Sequence, residues 1–436
     1  MARKMKDSGI EWIGEIPEGW EVSQLKYATR WKSEKGCPDA PVLSLYRDFG
    51  VVPKDSRDDN HNVTSLDTSN YKVVDIGDLV INKMKAWQGS MAVSDYRGIV
   101  SPAYHVCSIT SNKVNKRYLH HLLRNPAYLP EYARLSTGMR IGQWDLGFDD
   151  FKNIPFLIPP LDEQAKIADY LDNGCASLDV ILDKTRSSIE EYKKLKQTVI
   201  TQAVTKGVRG EREMKDSGVE WIGEIPEEWN KCKLKNISID IGDGLHGTPK
   251  FDDSGEVYFI NGNNFSSEYV EPKFDTKKLC LEESLNYPKP ELTEQTIMIS
   301  LNGSYGKVCL YRYFPMLLGK SAGYITLLPS INRRYVRYYL SSTPAQIIMT
   351  LSLNGTTIPN LSLNTLYNFP TILPSASEQT EIADYLDAKC AEIDRLIAKK
   401  EQLAKELESY KKSLIYEVVT GKREIFTDIT RKFPNV

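Results

Sequence analysis

The side chains best equipped for catalysis are few in this 436-residue chain, and their spacing does not suit it. His61, His105, His120, His121 and His246 show no metal-ligand spacing, and on any helix the adjacent His120 and His121 point to different sides. Seven cysteines, at positions 37, 107, 175, 232, 280, 309 and 390, are an odd, scattered set without a Cys-x-x-Cys pair, which fits a reduced chain without a zinc site. Gly319-Lys320-Ser321 has the tail of a P-loop, but Phe314 stands where the leading glycine must be. Asn125-Pro126-Ala127-Tyr128 has alanine where an amino-methyltransferase tetrapeptide needs its second proline. No catalytic residue, no metal site and no cofactor bound by this chain is therefore assigned.

What the sequence offers instead is binding chemistry. Loops of small residues let backbone N–H groups approach phosphates, while neighbouring Lys, Arg, Asn, Gln, Ser and Thr side chains reach base edges. In the first half such residues are Lys83, Lys85, Gln88 and Ser90 in one run and Arg140 in another. In the second half they are Thr248 and Lys250, then Asn302, Ser304 and Lys307, then Lys320, and finally Thr356 and Thr357. Each run also reads as a plain hairpin turn. Charge distribution favours the binding reading: residues 295–377 hold six Lys and Arg and no carboxylate, and residues 79–130 hold seven against Asp95 alone. The net charge of -2 hides both segments.

The elements that must position these loops are duplicated. Ile167-Ala168-Asp169-Tyr170-Leu171-Asp172 recurs letter for letter at residues 382–387, and 11 of 20 pairs from Leu161 and Ala376 onward are identical. Upstream, residues 5–20 and 214–229 agree at 14 of 16 positions. The period, about 215 residues, is far too long for a solenoid, so the chain holds two whole modules. After each repeat the apolar period becomes 3.5. The first seam is placed at Ile167, Leu171, Leu178, Ile181, Tyr192 and Leu195, and the second at Ile382, Leu386, Ile393, Leu396, Leu403, Leu407 and Tyr410. Ser375 and Glu378 form a capping box, Gly207 and Gly421 mark stops, and Asn173-Gly174 is a candidate kink. Since the order is module, helix, module, helix, the second helix is expected to run back along the first.

The fold class expected is therefore α+β: two globular modules separated by two long antiparallel helices, a coiled coil with pseudo-two-fold internal duplication. The expected bounds are 1–155 for the first module, 156–210 for the first helix, 211–372 for the second module, 373–424 for the second helix and 425–436 for a tail. Strand-like runs at 41–46, 71–82 and 99–108 and one helix at 116–134 are expected in the first module, with Trp12, Trp20, Trp221 and Trp229 as packing residues. Residues 40–150 and 240–365 show little similarity, so one frame presents two different faces. No run has signal-peptide or membrane-spanning character, and a cytoplasmic protein without a membrane partner is expected.

With these motifs together, the sequence resembles the specificity (S) subunit of type I restriction-modification enzymes. The residues that carry the likeness are Gly-x-Glu-Trp-Ile-Gly-Glu-Ile-Pro-x-x-Trp in both modules, the Glu-Gln-x-x-Ile-Ala-x-Tyr-Leu-Asp starts, and the endings Val204-Thr205-Lys206-Gly207 and Val419-Thr420-Gly421-Lys422. The resemblance implies that the modules are target recognition domains, each reading one half of a bipartite, asymmetric site in double-stranded DNA. It implies that the helices set the spacer and dock two methyltransferase (M) subunits, with restriction/translocase (R) subunits joining through the complex. It also implies a non-catalytic chain in a system of DNA methylation and host defence, whose partner subunits use S-adenosylmethionine, ATP and Mg. A duplicated coiled-coil adaptor that does not bind DNA is the alternative.

Overall fold

A computed structural model describes residues 3–47, 49–57, 64–65, 67–140, 143–353 and 359–425. The chain divides into two compact units, Met1–Arg186 with Gln402–Val436, and Ser187–Glu401. Both long helices, Leu161–Lys206 and Ala376–Val419, pass through that division, so each unit holds one part of each.

In the first unit, a clasp hairpin pairs Met5–Asp7 with Glu15–Pro17. The strand Glu21–Gln24 that enters the module pairs with Pro155–Ile158, which leaves it. Between them, β1 (Thr29–Lys32), β2 (Asp78–Asn82), β3 (Met91–Val93) and β4 (Tyr104–Ile109) form an antiparallel sheet in the order β1-β4-β2-β3. The second unit repeats the clasp with Met214–Asp216 and Glu224–Pro226, and the entry–exit pair with Asn230–Lys233 and Pro370–Leu373. Its sheet, of β5 (Ser238–Asp243), β6 (Thr296–Ser300), β7 (Val308–Leu310) and β8 (Ala322–Leu327), has the order β5-β8-β6-β7. The two orders are the same. The stretch that shows almost no sequence similarity thus carries a common sheet, built on alternating apolar residues such as Leu79 and Ile81, or Ile297 and Ile299.

Each sheet is followed by a short helix, α1 (Lys116–Leu123) or α2 (Arg333–Ser341). Asn115 and Asn332 cap them, each side-chain oxygen accepting two backbone N–H bonds. The single helix expected over 116–134 is two: α1 ends at Leu123 with Arg124 as its C-cap, and Pro126, which cannot continue it, opens a 3-10 turn before Leu129–Leu135.

The long helix after the first module is unbroken at Gly174. Both long helices end at left-handed glycines, Gly207 (φ 78°) and Gly421 (φ 68°), a conformation open to glycine at little cost. Only half of the expected capping box forms: Ser375 Oγ accepts from Glu378 N (3.4 Å), while the Glu378 carboxylate is engaged elsewhere.

Within each unit the two helix segments run antiparallel. In the first unit, Asp179 pairs with Lys411 (2.5 Å) and Arg186 with Glu408 (2.7 Å). In the second, Lys196 pairs with Asp394 (2.6 Å) and Arg209 with Glu381 (2.7 Å). Lys196 and Lys411, like Asp179 and Asp394, are repeat equivalents at offset 215, so each copy supplies the base for the other's acid.

The expected seam is half right. Ile167, Leu171, Leu178, Ile382, Leu386 and Ile393 are buried, and Ile181, Tyr192, Leu403 and Leu407 are half-buried. Leu195, Leu396 and Tyr410 are not in it, being 47, 36 and 42 % exposed. One string of positions, 171, 178, 185 and 192, is shared. The other moves on by one residue, to buried Cys175, Leu182 and Ile189 in the first copy, and to buried Cys390 with half-buried Ile397 and Ala404 in the second. Cys175, Cys390 and Ala404 are small, and both runs end in the stems of the paired Lys196 and Lys411. A search for large apolar residues therefore settles one position too early.

Candidate nucleic-acid interface

The Glu-Gln pair at the start of each long helix ties that helix to its module. Glu163 accepts from Trp20 Nε1 (3.0 Å) and holds Arg3 (2.6 Å); its equivalent Glu378 accepts from Trp229 Nε1 (2.9 Å) and holds Arg212 (2.7 Å). Gln164 accepts from Asn115 N (2.8 Å), and Gln379 from Asn332 N (2.9 Å). One residue therefore fixes the clasp and the next fixes the cap of α1 or α2. Trp20 and Trp229 are fully buried, and Trp12 lies edge-on to Tyr128 with ring centroids 4.5 Å apart. Trp221, expected to pack, is instead exposed.

The aspartates of the repeated Ile-Ala-Asp-Tyr-Leu-Asp grip the same short helices. Arg117 reaches Asp169 (2.8 Å) and, through Nε, Asp172 (2.7 Å), while Arg334 reaches Asp384 (2.7 Å) and also Asp387. A third member differs: His121 Nε2 lies 2.6 Å from Asp172, whereas Tyr338 donates to Asp387 (2.8 Å). Burial works against ionisation of Asp172, but the hydrogen bonds from His121 and Arg117 outweigh it and hold its carboxyl at about 2. Sequence reading missed this clamp, although Asn-x-Arg-Tyr at 115–118 and 332–335 was a repeated signal for it. Arg117 and Arg334, which fall within the two acid-poor segments, have their charge met by carboxylates.

The candidate loops lie at corresponding ends of the two sheets. In the second module, Asp243 pairs with Gly323 and Ser300 with Ala322, so residues 244–250, 301–307 and 319–321 leave the same end of the sheet. Leu301 N donates to Ser321 O (3.0 Å), which joins two of these loops. Thr248, Lys250, Ser304, Lys307 and Lys320 are candidates on these loops; Lys250, Ser304 and Lys320 are exposed, Lys307 is exposed and Asn302 is half-buried. Thr248 lies on the same loop as Lys250. Among the described residues neither Lys307 nor Lys320 has an ion-pair partner. In the first module, Asn82 pairs with Tyr104, so residues 83–90 occupy the position of residues 301–307. Lys85 is exposed, Gln88 and Lys83 half-buried, and Lys83 Nζ lies 3.0 Å from Asp145.

Ser90 differs from the other candidates in being buried, and its carbonyl accepts from Asn82 N (3.0 Å) to close the turn. Thr356 and Thr357 lie outside the described residues, as do His61, residues 426–436 of the expected tail and the side chain of Arg140.

Two further groups belong with the first module's loop: Trp87, within the 83–90 run and open to a core role in the sequence, and Lys72, which sequence reading missed. Trp87 meets Trp144 edge-on with centroids 5.0 Å apart. Lys72 Nζ donates to Tyr104 O (2.5 Å) and stands over the Trp31 ring (5.3 Å). Burial first, and then the neighbouring charges of Lys83 and Lys35, press its ammonium below the usual lysine value. Both modules thus present cations and amides from one sheet end, on turns fixed by the same strand pairings. No cluster of three or more metal-ligating side chains exists among the described residues, and no described helix is long and apolar enough to cross a membrane.

The sequence profile of the type I restriction modification DNA specificity domain matches residues 17–191 and again 226–408, most of the chain. The chain belongs to the type I restriction-modification specificity (S) subunit family. This S subunit is 29 % identical to the MjaVIII specificity subunit of Methanocaldococcus jannaschii over 93 % of each chain. It is 25 % identical to the putative MjaX specificity subunit of the same organism, over 95 % of this chain and 96 % of that one. It shares its fold with a chain solved in a study of complex assembly and conformational transition of the type I R-M system, at TM-score 0.72, 16 % identity and coverage of 94 and 99 %. The HsdS subunit from Thermoanaerobacter tengcongensis matches at TM-score 0.52, 16 % identity and coverage of 94 and 98 %. As an S subunit, this chain serves DNA target recognition in a restriction-modification system.

Proposed function

We propose that each module reads one half of a bipartite, asymmetric site in double-stranded DNA, the first through residues 83–88 and the second through residues 244–250, 301–307 and 319–321. The observation that carries this reading is that topologically equivalent loops on one duplicated sheet bear different side chains, Lys83, Lys85 and Gln88 against Asn302, Ser304 and Lys307. Two unlike faces on one frame suit a target with two unlike halves. The helices, of 46 and 44 residues or about 69 and 66 Å at 1.5 Å per residue, set the spacing of the half-sites. Leu195 and its repeat equivalent Tyr410 stand exposed outside the seam, one in each unit, and offer equivalent apolar footholds for two methyltransferase subunits.

The chain itself is non-catalytic in this reading. Methyl transfer from S-adenosylmethionine belongs to the M subunits, and ATP- and Mg-dependent translocation and cleavage to R subunits, all in the cytoplasm. Deleting one heptad from each helix tests the spacer role: the preferred distance between half-sites should change while both half-site sequences persist. Unchanged spacing would refute it.

A further inference from the structure

Phe274 is the most exposed large apolar side chain among the described residues, at 109 % of its reference area. A single exposed apolar residue is ordinary on a protein surface, but this one is held out by a built turn. Thr276 N donates to Lys273 O (3.0 Å) across Phe274 and Asp275, and Lys273 N donates back to Thr276 Oγ1 (2.7 Å). Beneath the turn, buried Asn264 donates through Nδ2 to Thr276 Oγ1 (2.8 Å). The ring therefore has a fixed base and no neighbour to collapse on. Phe251 on the same module is, by contrast, covered by Phe259 at 5.4 Å.

Two further observations point to the occupant. Lys273, Lys277 and Lys278 lie within four residues of Phe274 in the chain, against Glu271 and Asp275, and the ammonium groups of the last two are fixed over the Phe251 ring (4.5 Å) and the Tyr258 ring (5.2 Å). The turn is also continuous with the reading loops. Asn264 Oδ1 accepts from Asn261 N (3.0 Å), Asn261 Oδ1 accepts from Ser321 Oγ (3.0 Å), and Ser321 O accepts from Leu301 N (3.0 Å).

We propose that Phe274 is an apolar wedge that enters the duplex beside the half-site read by the second module, its ring stacking on a base step while Lys273, Lys277 and Lys278 meet the flanking phosphates. The proposal rests on the DNA-recognition reading above. It adds selectivity for a deformable step, such as a pyrimidine–purine step, at a position where no polar side chain reads a base.

The test uses the full chain assembled with its methyltransferase subunits, on duplexes carrying the mapped site with 2-aminopurine placed in turn at each flanking step. The unmodified protein should raise the fluorescence at one flanking step above that of the free duplex, as local unstacking does. F274A should abolish that rise and weaken binding by about tenfold, F274W should keep the unstacking, and K277A should weaken binding without removing it. An undiminished rise with F274A overturns the proposal. So does a loss of subunit assembly with normal unstacking in the fraction that assembles, since Phe274 would then be a protein contact. Failure of the unmodified complex to select its site would instead overturn the recognition reading beneath it.

Discussion

The two modules use one clamp with different third members, and the difference separates what the duplication preserves from what it releases. In both, an arginine of the short helix is held by two aspartates of the repeated hexapeptide. His121 completes the first and Tyr338 the second. The glutamates under the clasp diverge in the same way: the side chain of Glu378 is 1 % exposed and that of Glu163 26 %. Geometry is kept while the environment drifts. The cost of breaking an interaction should therefore differ between repeat equivalents, although the interactions look alike.

The largest contrast is expected at those glutamates. E378A leaves the fully buried Trp229 Nε1 without its acceptor and takes from Arg212 the buried one of its two carboxylates, Glu228 remaining, and should cost about 3 kcal/mol. E163A, in a wetter site, should cost about 1–2 kcal/mol. Urea unfolding of the two variants checks the order, and equal losses would break the comparison. Next come the seam positions. L182A, in the string of positions the apolar pattern misplaced, should cost about 2–4 kcal/mol, while L195A should stay within about 0.5 kcal/mol.

The third contrast is in pH. His120 is held at about 3, first by burial and then by Arg124 and His121, and burial lowers His105 as well. The unfolded chain takes up protons near 6.5 that the folded module refuses, so stability falls as pH drops from about 6.5 towards 3 by up to about 1.4 kcal/mol per pH unit for His120, and in the same direction for His105. Asp172 extends the loss, because its carboxyl must be protonated between its ordinary value of 3.8 and about 2. The second module has Arg337 and Tyr338 at the matching positions and His246 as its one histidine. Amide exchange in Lys116–Leu123 should therefore accelerate between pH 7 and 5 relative to Arg333–Ser341, after correction for intrinsic rates. Parallel behaviour would remove the distinction.

The smallest effect is expected in salt dependence. K320A should weaken DNA binding evenly across sequences and reduce the salt slope by about 0.9. R334A, whose charge is already met by Asp384 and Asp387, should leave that slope unchanged and loosen α2 instead.

The duplication, the antiparallel helices and their glycine stops were legible because they rest on identical residues and a sustained apolar period. The shared four-stranded sheet was not, because a strand needs only alternating apolar residues on one face, and Leu79 and Ile81 meet that need as well as Ile297 and Ile299 do. The seam slipped by one residue in half of its positions because Leu195 and Tyr410 are more apolar than Lys196 and Lys411, whose paired stems take their place. At the candidate interface, Lys85, Lys307 and Lys320 were accessible to pattern reading. The burial of Ser90 and the proximity of Lys72 to Lys83 depend on pairings between distant strands that no local pattern carries.

The central claim, two different readers on one duplicated frame, is tested most directly by mapping methylated adenines in cells that carry the complex with residues 301–307 and 319–321 exchanged for those of another specificity subunit. The expected result is a new sequence in one half-site, with the other half and the spacer length unchanged. A change in both halves, or in neither, would contradict it.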